Sequence, residues 1–238
     1  MLHSIVCAMG AVASLAGCID SAADEENYSQ VESFATVSSY TTSTCSTAVV
    51  IGLSKQIADE IGCANPTGLV KFTASGNLQI TSNAVLPYLG ATAKTDLLAV
   101  ASNHVVQVNS AFRTVAQQYL LYRWYQAGRC GISAAATPGR SNHESGRALD
   151  LQNYSSVRTA MSNRGWTWFG SGDPVHFDYL SAADIRGQDV KAFQELWNRN
   201  NTNARPAARF ARRGGALRRA SFRQTHAGNA PSALPAGF

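Results

Sequence analysis

Charge is scarce in this 238-residue chain. Asp, Glu, Lys and Arg make up 15% of it, against 45% hydrophobic residues. That balance excludes a wholly disordered polymer and suits one domain of ordinary size with extensions. Acid is missing altogether after Asn200, where seven arginines (Arg205, Arg209, Arg212, Arg213, Arg218, Arg219, Arg223) exceed the net charge of +5. Without them the rest of the chain carries −2. The basicity therefore belongs to a tail, and the globular part has no nucleic-acid footprint. Residues 200–238 are rich in Ala, Arg, Gly and Pro and read as a disordered extension; weak contact with anionic envelope polymers is the sharper reading. No C-x-x-C pair occurs, which argues against a zinc knuckle. No G-x-S-x-G and no glycine-rich phosphate loop occur, which removes serine-hydrolase and P-loop chemistry.

Histidine is also scarce, with five in the chain. His143-Glu144 opens the H-E-x-x-H pattern of zinc-protease helices, but that pattern needs a second His at position 147, which is Arg147. Glu144 then has no helix to aim it and reads as exposed, with no catalytic role. His3 and His226 fall in the terminal segments, and His104 reads as a structural histidine at a strand edge. His143 and His176 remain as ligand candidates.

Lys and Arg are absent ahead of the apolar run Ser4–Gly17, which is too short to span a bilayer comfortably. The run ends Leu15-Ala16-Gly17-Cys18, which resembles a bacterial lipobox with Cys18 as the lipidated residue and a means of membrane attachment. A plain secretory signal cut after Ser21-Ala22-Ala23 is the alternative. Either way residues 1–23 export the protein to the periplasm or cell envelope. Cys7 leaves with the signal. Once Cys18 is lipidated or removed, Cys45, Cys63 and Cys130 remain, giving one disulfide and one free thiol with the pairing open. Residues 24–47, rich in Ser, Thr and acids, read as a surface linker.

The folded domain spans 48–199. Its N-terminal part, 48–102, contains a helix through Val49, Val50, Leu53, Ile57 and Ile61 with Gly62 as its cap. Two short strands then flank Ser75-Gly76-Asn77 like a hairpin, and a mostly helical stretch covers 83–102. In the second part, 103–199, Val105–Asn109 is strand-like and Thr114–Gln126 is strongly helical. Alternation over 147–152 and 175–180 gives two further strands, with a last helix over 188–199. Short turn-linked strands among helices predict an α+β fold with a small antiparallel sheet.

In those strands Leu149 and Leu151 face one way and Asp150 the other, while Phe177 and Tyr179 face the core opposite His176 and Asp178. A carboxylate between two core leucines needs a partner. Two His and one Asp could form a zinc set with water as the fourth ligand. The bland alternative makes His143 a loop residue, Asp150 a partner of Arg147, and His176 a surface residue.

The combination Ser141-x-His143-x-x-Gly146-x-Ala148-x-Asp150 with Asp173-x-x-His176-Phe177-x-Tyr179, preceded by Ser110-x-Phe112-Arg113 and Gln118, resembles the zinc D-alanyl-D-alanine carboxypeptidases. That family includes vancomycin-resistance D,D-peptidases and phage cell-wall endopeptidases. The resemblance covers roughly Asn109 to Tyr179 and implies a Hedgehog/D,D-peptidase-like fold. It implies one zinc ion on His143, Asp150 and His176, and Asp173 as catalytic acid/base where many members carry Glu. It implies Arg113 as the residue that binds substrate and stabilises charge, with Ser141 and Gln118 as further substrate contacts. Val175 stands where the family often has Trp. The expected substrates are peptidoglycan stem peptides, and the expected state is a monomer. An endopeptidase with the same zinc site and a non-catalytic zinc- or peptidoglycan-binding module are the alternatives.

Overall fold

The computed structural model describes residues 36–200. The expected signal, the Cys18 lipidation site, the start of the linker and the arginine tail lie outside the described residues. Helices are α1 (Tyr40–Ser43), α2 (Ile51–Ala64), α3 (Ala91–Ala101), α4 (Val115–Gln126), α5 (Tyr154–Ser162) and α6 (Gln188–Asn200). Strands are β1 (Val70–Lys71), β2 (Leu78–Ile80), β3 (Tyr88–Leu89), β4 (Val106–Ser110), β5 (Ala148–Leu151), β6 (Thr167–Trp168) and β7 (His176–Asp178).

Five strands form one sheet in the order β2-β4-β5-β7-β6. Its centre is built from sequences that alternate or are wholly apolar: Val106 and Val108 of β4, Leu149 and Leu151 of β5, and Phe177 of β7 are all buried. These side chains pack with Leu97 and Val100 of α3 and with Val157 and Met161 of α5 in the main core. A second cluster joins Ile57 and Ile61 of α2 to Leu69, Phe112, Ile185 and Ala192.

The α4 helix follows its sequence closely. Ala116, Leu120 and Trp124 recur at four-residue intervals and are buried together with Val37 and Val50. The Thr114 N–H donates to Gln117 Oε1, closing the reciprocal half of a capping box. Asp189 of α6 accepts from the Val115 N–H at 2.6 Å, placing a carboxylate at the positive end of the helix. Gly128, at φ +60°, supplies the left-handed residue that ends it.

Four expectations are corrected. The sheet is mixed rather than antiparallel, because β2 runs parallel to β4. Residues 69–81 are not a hairpin: β1 pairs with β3 in a separate two-stranded sheet, and β2 joins the main one. The helix expected over 83–102 begins only at Ala91, because Tyr88 and Leu89 are used as strand β3. The α2 helix runs through Gly62 and is capped at Asn65, whose N–H donates to the Ile61 carbonyl at 2.7 Å.

The described end of the expected linker is also folded. Val37 is 5% exposed and packs on α4. The Thr41 carbonyl accepts from Trp124 Nε1 at 3.1 Å and Arg129 Nη1 at 2.7 Å. A Cys45–Cys130 disulfide staples the strap to the end of α4. Cys63 is disulfide-bonded as well, so the expected free thiol is not found among the described cysteines.

Candidate metal centre

The centre of the sheet brings three chain segments to one point. In the register of β5, Asp150 lies opposite His176 of β7 on one side and Ser110 of β4 on the other. Cross-strand partners share a face, so the polar side chains of three strands meet there. His143 arrives from the turn that leads into β5. Gly146 makes that turn at φ +71°, a conformation costly for any residue with a Cβ.

Three donor atoms converge. His143 Nε2 lies 3.2 Å from Asp150 Oδ1 and 3.2 Å from His176 Nδ1, and His176 Nδ1 lies 3.0 Å from Asp150 Oδ1. A tetrahedral site with bonds of about 2.0–2.1 Å places neighbouring donors about 3.3–3.4 Å apart. The observed triangle is close to one face of such a site.

The outer ring nitrogens decide what the inner ones offer. His143 Nδ1 faces the Ala111 carbonyl at 2.7 Å, and a carbonyl only accepts, so the hydrogen sits on Nδ1. His176 Nε2 likewise donates to Asp178 Oδ1 at 3.0 Å. With both rings neutral, the two inner nitrogens present lone pairs to a carboxylate oxygen. Such a set is repulsive without a cation or proton among its members, and a His donating its far N–H to a carbonyl or carboxylate is the usual support of a metal ligand. His143, Asp150 and His176 therefore fit a metal ion on the chemistry of their own donors, and their ligand atoms all lie within 4.8 Å of one another.

Electrostatics follow from burial and neighbours. Burial raises the Asp150 carboxyl, but His143 and Arg113 beside it outweigh that and hold it well below the usual carboxylate range. Burial, with Arg113 adding to it, pushes His143 down towards the neutral imidazole a metal requires. Burial also opposes charge on His176, yet its hydrogen bonds to Asp150 and Asp178 lift it to about 9. Asp173 is half-buried at the start of the turn into β7, and its carboxyl is raised by burial and then by the charge of Asp150.

Arg113 is tied down on three nitrogens: Nε donates to Ser110 Oγ at 2.9 Å, Nη1 to Gln118 Oε1 at 3.4 Å and Nη2 to Asp150 Oδ2 at 2.5 Å. Asp150 thus turns one oxygen to the histidines and the other to Arg113. Gln118 is buried and donates from Nε2 to the Ala136 carbonyl, tying α4 to the loop before His143. Ser141 is buried too; its Oγ accepts from the His143 N–H at 3.2 Å, so it braces a ligand's backbone. The expected site residues Arg113, Gln118, Ser141, His143, Asp150 and His176 form one connected network. His104 lies apart and is exposed.

Glu144 corrects an expectation. It is 2% exposed, not at the surface. Its carboxylate accepts from the Gly139 N–H at 2.9 and 3.0 Å and from the Ser141 N–H at 3.1 Å, pinning the loop that enters the site. Burial raises its carboxyl to about 7 against those bonds, with the charge of Asp189 adding to the rise. Asp178 and Asn142 were not assigned roles from the sequence. Asp178 accepts from His176 and, at 2.9 Å, from Asn142 Nδ2. The available signal was period two: Asp178 shares the face of His176 in β7.

A largely buried His₂Asp set on a sheet, with a half-buried carboxylate and an arginine beside it, has the donor set that single-metal hydrolytic centres use. Residues 90–171 match the family model VanY, D-alanyl-D-alanine carboxypeptidase, so this part of the chain is similar to that family of cell-wall peptidases. The match includes Arg113, Gln118, Ser141, His143 and Asp150 and stops before Asp173 and His176; the register of β7 places His176 opposite Asp150. No curated protein matches the chain.

Proposed function

We propose that this chain is an exported, zinc-dependent peptidase of peptidoglycan stem peptides, in its simplest form a D,D-carboxypeptidase that releases a terminal D-alanine. The observation that carries the reading is the convergence of His143 Nε2, Asp150 Oδ1 and His176 Nδ1, each held by a partner on its far side. These three atoms would hold the ion. When bound, zinc supplies a Lewis acid for the scissile carbonyl and lowers the pKa of a water toward neutrality.

The chain's own residues do the rest. Asp173, whose carboxyl is raised by burial and by Asp150, takes a proton from the attacking water and returns one to the leaving amine. Asp has a shorter reach than the Glu common in the family, and the role needs only a carboxylate at that point. Arg113 keeps a second N–H on each terminal nitrogen beyond its bonds to Gln118 and Asp150, and these meet the oxygen on which charge develops. Gln118 and Ser141 hold Arg113 and His143 in place. A single chain supplies every member, so a monomer suffices. The Cys45–Cys130 disulfide supports an oxidising compartment, in keeping with an export signal over residues 1–23, with or without a lipid on Cys18.

Metal analysis and digestion of pentapeptide muropeptides test the reading together. His143→Ala should lose both stoichiometric zinc and D-alanine release, while Asp173→Asn should keep zinc and lose turnover. Split cross-links without free D-alanine would make the enzyme an endopeptidase. A folded His143→Ala protein that still binds zinc and releases D-alanine sinks the assignment.

A further inference from the structure

Phe169 is the most exposed of the large apolar side chains among the described residues, at 64%. A single exposed apolar residue is ordinary on a protein surface. What sets Phe169 apart is where the sheet puts it. In the register of β6 and β7, Trp168 pairs with Phe177, and Trp168 packs against the main core. Successive side chains of a strand point to opposite faces, so Phe169 is turned to the face of the metal centre. Its N–H donates to the His176 carbonyl at 3.0 Å, which continues the pairing one residue beyond β6. Ser110, Asp150, His176 and Phe169 therefore stand side by side across the sheet. The Phe169 ring meets His176 edge-on, at 5.6 Å between centroids and 89° between planes.

The ring is held where it is. Trp168 Nε1 donates to the Pro174 carbonyl at 2.8 Å and the His176 N–H to the Asp173 carbonyl at 3.1 Å, so the turn between β6 and β7 is tied on both sides. A phenyl ring kept in water offers apolar surface and no hydrogen-bond donor, so it serves a ligand that brings apolar surface of its own. Position selects the part of the ligand. Asp173 lies in the same turn and returns a proton to the leaving amine. The residue released by the reaction thus lies on the β6 side of His176, while Arg113, bonded to Ser110, bounds the β4 side. We propose that Phe169 is a specificity residue whose ring packs on the methyl group of the terminal D-alanine, the residue released. The identity of that ligand rests on the peptidase reading above. One methyl group in an apolar pocket is worth about 10–200-fold in discrimination, and a single ring is an open wall, which belongs at the low end of that range.

Diacetyl-Lys-D-Ala-D-Ala and diacetyl-Lys-D-Ala-Gly, which differ by that methyl group, are the probes for the zinc-loaded full chain. Wild type should prefer the first about tenfold in kcat/KM. Phe169→Ala should lose about tenfold on the D-Ala peptide and stay within about twofold of wild type on the Gly peptide, which erases the preference. Phe169→Leu, which restores apolar surface, should keep most of it. Zinc affinity should be unchanged in both variants. Equal losses on the two peptides, with or without loss of zinc, would make the ring a support of His176 and overturn the proposal. A preference absent from wild type, or one that survives Phe169→Ala, would overturn it too. A second measurement needs no turnover. In zinc-loaded Asp173→Asn, nuclear Overhauser contacts are expected between the Phe169 ring and the terminal methyl group of the D-Ala peptide, and their absence overturns the proposal. If wild type cleaves neither peptide, the peptidase reading fails and those contacts alone decide the role of Phe169.

Discussion

Asp178 is the residue whose replacement separates a metal centre from an ordinary buried hydrogen-bond cluster. It touches none of the other candidate ligands; its Oδ1 accepts the Nε2–H of His176 at 3.0 Å. If His176 Nδ1 is a metal ligand, Asp178 raises its basicity and fixes its ring. Outer partners of this kind contribute about 10–100-fold in metal affinity, or roughly 1.4–2.7 kcal/mol. The two obvious variants divide that range. In Asp178→Asn the amide oxygen still accepts from Nε2–H, so the tautomer survives and only the charge is lost; about tenfold weaker zinc binding is expected. In Asp178→Ala the ring loses its anchor too, and about 100-fold is expected. Asn142→Ala is the control, because Asn142 donates to the same oxygen without touching the ring, so its loss should cost about threefold or less. Competition with a chromophoric chelator at fixed pH reads all three, with circular dichroism to confirm the fold. Affinities of Asp178→Asn and Asp178→Ala both within about twofold of wild type would refute the reasoning, since His176 would then not be ligating through Nδ1.

Glu144 predicts a pH dependence of stability. Its carboxyl rises from 4.5 to about 7 on folding, so the folded state holds the proton more tightly and the associated stability is full below about pH 4.5. It is lost as pH rises through about 7, by an amount on the order of 3 kcal/mol. Urea unfolding of metal-free protein at pH 5 and pH 8 should show that fall in wild type and little of it in Glu144→Gln; equal slopes would contradict the burial of the charge. The Cys45–Cys130 bridge spans a sequence separation of 85, and its double Ser variant should lose about 2–4 kcal/mol. In the same variant residues 36–45 should become the first site of proteolytic cutting; unchanged protection would show that Val37, Trp124 and Arg129 hold the strap without the bridge.

Much of the centre was legible because its parts lie in strongly patterned segments. The α4 helix is written in the spacing of Ala116, Leu120 and Trp124, and β5 in the alternation of Leu149, Asp150 and Leu151. Glu144 was misread because nothing local buries it. Its environment is made when the 139–141 backbone folds back to donate N–H groups, which no periodicity encodes. The strap at 36–47 was misread for a related reason. Its composition is that of a linker, while its anchors, Trp124 and Arg129, lie 83 and 88 positions from Thr41. The parallel placement of β2 against β4 likewise depends on the intervening α3 crossover rather than on either strand's own sequence.

The hydrophobic pattern does more than supply a core: it sets the geometry of the polar site. His176 faces Asp150 because Phe177 and Leu149 are paired in the register of β5 and β7, and both are fully buried. A slip of β7 by one residue would put Phe177 opposite Asp150 and turn His176 into the core. That state exposes Phe177 and buries an imidazole and the Asp178 carboxylate without partners, costs of several kcal/mol from each side of the sheet. At β4 alternation alone would put Ser110 on the face of Val106 and Val108, and the register irregularity between Val108 and Ser110 is what sets Ser110 opposite Asp150 and able to receive Arg113. The three-atom convergence therefore needs no metal to assemble it. A centre preorganised by apolar register should bind its ion with little change in backbone structure, and amide exchange in β5 and β7 should be slow in metal-free protein. Rapid exchange there, slowed only on adding zinc, would show instead that the ion organises the sheet.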